Sequence, residues 1–382
     1  MRVLAVTTWL PTRSHPSTGA FVVKDARALA DHGYDVALVH LVPPGQLDVG
    51  GTGVAEAATL DGIPVTRIPM STTSPRQIRA AGTLLQAMTR RADLVHTMAF
   101  STLPPMAWWR PEAPWVHTEH WSGLTAPQTL PRSWRVALPA LRRLLSRPDV
   151  VTAVCDYLAT PIRDVRGARP TTVVPCVVPR PQVQPRPELE GELTLVDVGA
   201  LIPRKDPVLA VDVVAELTRR GRPTRIRLVG QGELADEVRG RARALGVGDR
   251  VDLLGSLDRA GVLAELAAAD VFIGPTRGDN FFVSCAEALL GGRPVVVGAT
   301  GGQGEYLDPR VGATVPTQSA IAYADAVERV LASAADLSAA QISQTIGDRF
   351  EAAVVARGYA DAYDRAASLR RRPAGRRGRG SR

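Results

Sequence analysis

The sequence predicts an α/β protein made of two Rossmann-like, doubly wound domains that face a central cleft. The chain has 382 residues, a length that suits two domains of roughly 100–200 residues each. Strand-like and helix-like segments alternate along it, as they do in parallel α/β sheets. The proline-rich stretch PRPQVQPRP at 179–187 interrupts this alternation, which restarts afterwards.

The first half begins with a strand candidate at Arg2 to Thr8, followed by a loop rich in proline, glycine and serine. An apolar face formed by Val22, Ala26 and Leu29 predicts a helix from about 21 to 31. The remaining elements predicted in this half are strands at 35–42, 65–68, 94–97, 115–118 and 150–154 and a helix near 77–90. The opening run MRVLAVTTWLP indicates a strand and not a secretory leader.

After the proline-rich break, the same alternation predicts a second sheet. The predicted strands are 193–198, 225–229, 251–254, 271–273 and 294–297, and the predicted helices are 208–219, 234–245, about 260–268 and about 281–290. We therefore expect a first domain at 1–180, a linker at 181–190 and a second domain at 191–346. Ligands of such sheets bind at the carboxyl ends of the strands, so candidate residues are sought there.

Charge and cysteine usage exclude several classes of protein. The formal net charge is +8, but the segment 370–382 holds seven arginines and no acid, so the rest is close to neutral. We expect a solvated, disordered basic tail at 370–382 and no specific nucleic-acid partner. Cys155, Cys176 and Cys285 lie far apart, which fits neither a disulfide framework nor a zinc site and indicates the cytoplasm. No D-x-D triplet occurs, and we expect no metal.

The second half contains a pair of cations in a promising place. Arg204 and Lys205 follow a predicted strand and precede a helix, and adjacent cations at such a position suit a phosphate or diphosphate. Lys205 is one of only two lysines in the chain, against 44 arginines. An ordinary solvated pair of charges is the competing interpretation of this dipeptide.

Two acids accompany the next helix. Asp279 and Asn280 are predicted to cap a helix that begins at about Phe281, and a helix N-terminus favours anions. Glu287 lies eight residues after Asp279, about 12 Å further along a helix. That spacing would let one acid meet a sugar while the other meets a ribose. A cap for Asp279 and an exposed helix acid for Glu287 are the simpler alternatives.

Two glycine-containing segments also follow strands. The segment LVGQGELA, with Gly230 and Gly232, fits a dinucleotide-binding pattern, but it follows a later strand of its domain, so a nicotinamide or flavin enzyme is disfavoured. In ATGGQGEYL, Gly301 and Gly302 are expected to let the backbone approach a ligand, with a plain turn as the alternative.

In the first half, Gly19 stands at the start of a helix, and the segment WVHTEHWSG places His117, Glu119 and His120 at a strand end. His120 could orient a hydroxyl proton there, although a lone histidine is more often structural. The segment 131–147 interleaves apolar residues with arginines. It predicts either a helix that lies on an anionic membrane surface or one whose apolar face packs inward.

Together, these motifs resemble the family 4 glycosyltransferases of the two-domain GT-B fold. The resemblance covers nearly the whole chain and is carried by ADLVH, VHTEH, DVVTAVCDYL, VGALIPRKDPVLAV, LVGQGEL, VDLLGSL, AADVFIGPT and DNFFVSCAEALLGGRPVVVGATGG. It implies that a closing helix at 347–369 crosses back to the first domain.

The resemblance also implies roles for individual residues. Lys205 with Arg204 would hold the diphosphate of a nucleotide-sugar donor, and Glu287, the second acid of the family's Glu–seven residues–Glu motif, would bind the ribose hydroxyls. Asp279 stands for the first acid, which contacts the donor sugar, and His120 matches the active-site histidine. The other residues implied in donor binding are Gly19, Gly230, Gly232, Leu254, Asn280, Phe281 and Phe282.

This chain departs from the family pattern at several of these positions. Asp279 replaces the usual glutamate and is one methylene shorter, which leaves the sugar unspecified. Ala200 stands where many members have an arginine beside the diphosphate, so Arg204 would have to compensate for it. Phe282 stands where a glycine often lets the backbone approach phosphate.

The resemblance implies a metal-independent transferase that moves a sugar from a nucleoside-diphosphate sugar to a hydroxyl of a small or lipid-linked acceptor, with retention of configuration. The donor would be a co-substrate, and no cofactor is implied. We expect a cytoplasmic protein with peripheral contact at the inner membrane face through 131–147 and the basic tail. The alternatives are a nucleotide-sugar epimerase on the same fold and a non-catalytic nucleotide-sugar-binding subunit.

Overall fold

The computed structural model describes residues 1–15, 18–47, 56–187 and 191–371. The chain forms two compact units, of which the first comprises Met1–Val177 and Ala352–Arg382 and the second Val178–Glu351. Part of the expected linker, at 188–190, and most of the expected basic tail, at 372–382, lie outside the described residues.

The first unit contains one eight-stranded sheet. Its elements are β1 Arg2–Thr7, α1 Ala20–Asp31, β2 Asp35–Val42, β3 Glu56–Leu60, β4 Ile63–Pro69, α2 Pro75–Thr89, β5 Leu94–Met98, β6 Trp115–Glu119, α3 Arg132–Leu141, β7 Val150–Ala153, α4 Asp156–Arg166 and β8 Thr171–Val173. The strand order is β3-β4-β2-β1-β5-β6-β7-β8, and each pair is parallel except β3 with β4. The order reverses between β1 and β5, the switch point at which ligands of such sheets bind.

The second unit is a six-stranded, all-parallel sheet with helices. Its elements are β9 Leu193–Val198, α5 Pro207–Arg219, β10 Thr224–Val229, α6 Ala235–Ala244, β11 Val251–Gly255, α7 Arg259–Ala268, β12 Val271–Gly274, α8 Val283–Leu290, β13 Val295–Gly298, β14 Gly312–Val315, α9 Ala320–Ser333 and α10 Ala339–Gln344. The order β11-β10-β9-β12-β13-β14 places the switch point between β9 and β12. The two sheets confirm the predicted pair of Rossmann-like domains.

The last helix, α11 (Ala352–Arg371), packs on the first unit and confirms the predicted return of the chain. The Tyr359 hydroxyl donates to Asp25 of α1 (2.9 Å). The expected bounds were wrong, because the helix begins at Ala352 and continues through Arg371. Arg370, which was expected in the disordered tail, is instead held in the helix by an ion pair with Asp149 (2.8 Å).

The amphipathic segment around α3 turns its apolar side inward. Leu138 and Leu145 are buried and Trp134 is half-buried, whereas Arg132 and Arg135 are exposed. The apolar face is therefore used in packing, and membrane contact through the arginines stays a prediction. Within the described ranges, no helix combines the length and apolar character that crossing a membrane requires.

Candidate functional site

The cations and the first acid predicted from the second half meet at the switch point of its sheet. Arg204 and Lys205 lie in the loop between β9 and α5, and Asp279 lies in the loop after β12, the neighbour of β9. Arg204 Nη1 lies 2.9 Å and Lys205 Nζ 2.7 Å from Asp279 Oδ2. Arg204 also donates to the Gly278 carbonyl (2.7 Å), which ties the two loops together.

This arrangement keeps Asp279 ionised. Burial alone would raise its pKa, but the charges of Lys205 and Arg204 and their hydrogen bonds outweigh burial and lower the pKa to about 2. The carboxylate therefore neutralises part of the positive charge of the cation pair. Any other anion that binds these cations must share them with Asp279 or displace it.

Phe282 changes the start of the helix that follows. The predicted start at Phe281 is wrong, because α8 begins at Val283, and Phe282 precedes it in a left-handed conformation (φ 57°). A bulky residue rarely adopts this conformation. Asp279 Oδ1 accepts a hydrogen bond from the Phe282 N–H (3.1 Å), and the Tyr306 hydroxyl lies 2.8 and 3.0 Å from the Phe281 and Phe282 carbonyl oxygens. These bonds hold the turn in place.

The Phe282 ring also supports Lys205. The Lys205 ammonium lies 3.7 Å from the ring centroid, a cation–π contact. The space for the ring exists because residue 274 is a glycine: a Cβ there would lie 2.5 Å from Phe282 Cζ. Sequence analysis could not reveal this pairing of Gly274 with Phe282, because eight residues and a change of element separate them.

The side chains of the next two candidates point away from solvent. Asn280 is buried, and the Phe281 ring packs on Phe350 (centroids 4.9 Å apart) and Tyr306, so these residues present mainly backbone to a ligand. The Gly301 backbone supports this loop, since a Cβ at Gly301 would lie 1.9 Å from the Asp279 carbonyl oxygen. The close approach that was expected towards a ligand is thus made towards the Asp279 loop.

The glycines after β10 serve a similar close approach. A Cβ at Gly230 would lie 1.9 Å from the Gly199 carbonyl oxygen, and one at Gly232 would lie 2.2 Å from that of Leu201. Both therefore allow this loop to pack on the one that carries Arg204. Leu254 lies in β11 and is half-buried.

Glu287 is nearly buried on α8 and is not an exposed helix acid. Its Oε1 accepts a hydrogen bond from Arg259 Nη1 (3.1 Å), and Arg259 also donates to the Pro179 carbonyl (3.3 Å). Glu287 further lines a cavity of about 400 Å³. Sequence analysis missed Arg259, whose only signal is its place at the start of a helix after Asp258.

In the first unit, the two candidates Gly19 and His120 lie around Trp9. Gly19 precedes α1 with φ 69°, and a Cβ there would lie 2.1 Å from the Trp9 carbonyl oxygen, so only glycine fits. The His120 ring packs against Phe21 (centroids 4.6 Å apart) and near Trp9 (6.4 Å). Burial lowers the pKa of His120 to about 3, with a smaller contribution from His117.

Glu119 fixes the loop that carries His120. Its Oε1 accepts hydrogen bonds from the backbone N–H groups of His120 (2.9 Å) and Trp121 (2.8 Å). Its Oε2 lies 3.2 Å from His117 Nε2, and His117 Nδ1 lies 2.9 Å from Thr97 Oγ1. A buried network therefore sets the direction in which the chain leaves β6. Nowhere in the described ranges do three or more His, Cys, Asp or Glu side chains form a group that could hold a metal ion.

Comparison with known proteins defines the class. The family model described as "Glycosyltransferase Family 4" matches residues 19–180, and the one described as "Glycosyl transferases group 1" matches residues 180–346. The sucrose-phosphate synthase of Thermosynechococcus elongatus has a similar structure (TM-score 0.78, 20% identity, 97% of this chain and 100% of that one). The fold is therefore that of the GT-B glycosyltransferases.

Curated relatives point to the same family. The chain is 30% identical over 216 residues to the GDP-mannose-dependent alpha-(1-6)-phosphatidylinositol monomannoside mannosyltransferase of Mycolicibacterium smegmatis, covering 52% of this chain and 56% of that protein. It is 27% identical over 271 residues to the D-inositol 3-phosphate glycosyltransferase of Mycobacteroides abscessus, covering 63% and 61%. The matches thus span little more than half of these relatives. The chain belongs to glycosyltransferase family 4.

Proposed function

We propose that this protein transfers a sugar from a nucleoside-diphosphate sugar to a hydroxyl group of a small or lipid-linked acceptor, with retention of configuration. The observation that carries the proposal is the cluster of Arg204, Lys205 and Asp279 at the switch point between β9 and β12, immediately before α8. Membership of the family supports the reaction class, and the cluster supports the donor class.

The chemistry of the cluster suits the departure of a diphosphate. Negative charge develops on the leaving group as the glycosidic bond breaks, and the cations Arg204 and Lys205 would stabilise it together with the N-terminus of α8. The two loops already hold these cations in place, so the main rearrangement on donor binding would be the displacement of Asp279 from them. Asp279 is then free to meet the donor sugar, as its place in the family motif implies.

The Glu287 carboxylate would bind the ribose hydroxyls. Arg259 holds one carboxylate oxygen, which orients the second. In the first unit, His120 would orient the attacking acceptor hydroxyl. Its lowered pKa keeps the ring neutral at working pH, so a ring nitrogen would accept a hydrogen bond from that hydroxyl without taking its proton. The acceptor hydroxyl would attack on the face that the diphosphate leaves, as retention requires.

The first test is ligand-dependent stabilisation against heat. The protein and its Glu287→Ala variant are titrated separately with UDP, GDP, ADP and NAD⁺. A ligand at 100 times its dissociation constant adds about 2.7 kcal/mol of stability. We expect one nucleoside diphosphate to stabilise the parent protein and to stabilise the variant far less, which would also identify the base.

Turnover is then measured with the sugar forms of that nucleotide. We expect release of the nucleoside diphosphate and incorporation of labelled sugar, and NMR of the product should give the same anomeric configuration as the donor. Stabilisation by NAD⁺ alone would refute the donor site. Conversion of the donor sugar to its epimer without transfer would refute the transferase.

A further inference from the structure

The first unit contains a pocket whose lining includes none of the catalytic or donor-binding residues predicted from the sequence. It has a volume of about 320 Å³ and lies at the carboxyl ends of β1, β2, β4, β5 and β6. Thr8 follows β1, and Ser101 lies in the segment after β5. Their hydroxyl oxygens are 2.5 Å apart, so the pocket spans the switch point of this sheet. Pockets at such points bind small molecules.

Aromatic rings form much of the pocket wall. Phe100 and Trp121 are stacked with their centroids 5.2 Å apart, and Trp134 meets Trp121 edge-on at 6.1 Å. Trp9 also lines the pocket. Such rings offer flat apolar surfaces that lose little conformational entropy when a ligand packs on them.

Four of the other lining side chains carry hydroxyls, namely Thr8, Ser71, Thr72 and Ser101, and the aliphatic residues Leu41, Pro43 and Met70 complete the lining. By contrast, none of the described residues that line the pocket has a side chain that ionises near neutral pH. A phosphate group buried here would lose its hydration without gaining a counter-charge from the pocket wall, which is costly. A neutral ring with C–H groups on its faces and hydroxyls on its rim suits this lining. Its faces can pack on the aromatic side chains, and its hydroxyls can form hydrogen bonds with the hydroxyl side chains.

The pocket also adjoins the candidate catalytic histidine. Trp121 directly follows His120, and Glu119 accepts hydrogen bonds from the backbone of both residues. Trp9 lines the pocket and lies beside the His120 ring (centroids 6.4 Å apart). A ligand in the pocket is thus held by the same loops that place His120.

We propose that this pocket receives the acceptor and that the acceptor group bound there is an uncharged sugar or cyclitol ring that carries no phosphate. This inference rests on the proposed transfer reaction and narrows the class of acceptor that the reaction uses. The proposed acceptor ring differs from the one in the name of the D-inositol 3-phosphate glycosyltransferase, because it carries no phosphate. A lipid, if the acceptor has one, would lie outside the pocket.

The test measures binding without any donor, by ligand-observed NMR. The probes are methyl glycosides of glucose, galactose and mannose and myo-inositol, each beside its monophosphate, together with octanol as an apolar chain. We expect at least one neutral ring to bind and its monophosphate to bind roughly tenfold more weakly or not at all.

Trp121→Leu keeps an apolar side chain but removes the flat ring, and we expect it to weaken binding of the neutral ring roughly tenfold. Trp108→Leu is the matched control, because Trp108 is a half-exposed tryptophan of the same unit that does not line the pocket. Its binding should equal that of the parent. Circular dichroism spectra of both variants check that they fold.

Equal or tighter binding of the monophosphates would overturn the proposal. Binding of octanol in competition with the sugars, or equal effects of the two tryptophan changes, would do the same. If a nucleoside diphosphate binds and its sugar is hydrolysed but no neutral ring binds, this inference fails while the donor half of the proposed function stands. If the rings bind but no nucleoside diphosphate does, the proposed function fails instead.

Discussion

Replacing Phe282 with glycine removes a ring that has two roles in the structure, packing against Gly274 and the support of Lys205. The ring fills the space above Gly274 and lies under the Lys205 ammonium at 3.7 Å. Family resemblance gives a third possibility, since a glycine at this position often lets the backbone approach phosphate. These three effects predict different results for stability and for binding of a nucleoside diphosphate.

Their magnitudes follow from the structure. Removing a buried phenylalanine ring costs about 3–5 kcal/mol of stability. Relief of the left-handed backbone conformation at Phe282 returns about 1–2 kcal/mol. We therefore expect Phe282→Gly to lose about 1–4 kcal/mol of stability. The Lys205 side chain is only 12% exposed, so loss of a cation–π contact of about 1–2 kcal/mol should weaken diphosphate binding roughly tenfold.

Gly274→Leu allows the two roles to be measured apart. Alone, the leucine would collide with the ring, since even a Cβ at Gly274 would lie 2.5 Å from Phe282 Cζ, and this variant should be strongly destabilised. Combined with Phe282→Gly, the leucine should refill the space and restore most of the stability, but it offers no aromatic face to Lys205.

The assay is a double-mutant cycle. Urea unfolding gives the stability of the four proteins, and calorimetry gives the dissociation constant of the nucleoside diphosphate found in the stabilisation test. We expect the double variant to recover stability while its affinity stays roughly tenfold below that of the parent. Full recovery of affinity would mean that the ring only fills space. Tighter binding by Phe282→Gly would mean that backbone access to phosphate outweighs support of Lys205.

Three further perturbations address single ionisable groups. Asp279→Asn removes the carboxylate that is paired with both cations, so calorimetry at low salt should show several-fold tighter binding of pyrophosphate, while the transfer rate falls. Unchanged binding of pyrophosphate would contradict the idea that Asp279 competes with it for the cations. Burial raises the pKa of Asp25 to about 7. The folded protein therefore binds more protons than the unfolded one between pH 3.8, the ordinary value, and about 7. Stability should consequently fall as the pH rises through this window. Asp25→Asn should abolish this decrease in stability, which is measured by urea unfolding at several pH values. An identical pH dependence in both proteins would refute the assignment of the decrease to Asp25. His120→Ala removes the group that orients the acceptor hydroxyl, so it should lower the transfer rate roughly 10²-fold without changing nucleoside diphosphate binding. Weaker nucleotide binding would argue against an acceptor-side role.

The fold was predictable because its determinants are local. Buried runs such as those of β1 and β5 and the alternation with amphipathic helices can be recognised in the sequence without knowledge of contacts. The three strands that were missed lack this signal: β14 has the short sequence GATV, β8 has only the three residues TTV, and β3 has the alanine-containing EAATL. These strands depend on pairing with a neighbour for their conformation.

The position of the candidate donor site was predictable in part for the same reason. Arg204 and Asp279 each follow a strand, and carboxyl ends of parallel strands share one edge of the sheet. That β9 and β12 are neighbours is a property of the topology, and the direct contact of Asp279 with both cations depends on it. The roles of these residues in donor binding stay predictions.

The features that could not be predicted lie where the backbone preference of a residue and its conformation in the structure disagree. A phenylalanine at φ 57° contradicts its own backbone preference, and it persists because the surroundings determine it: a hydroxyl from Tyr306, a carboxylate from Asp279 and the space above Gly274. Such strain is retained only where contacts outweigh it, and it is most often found at functional sites. Here it lies directly beneath Lys205, so the least predictable part of this unit is also the part that sets the position of its candidate phosphate-binding cation.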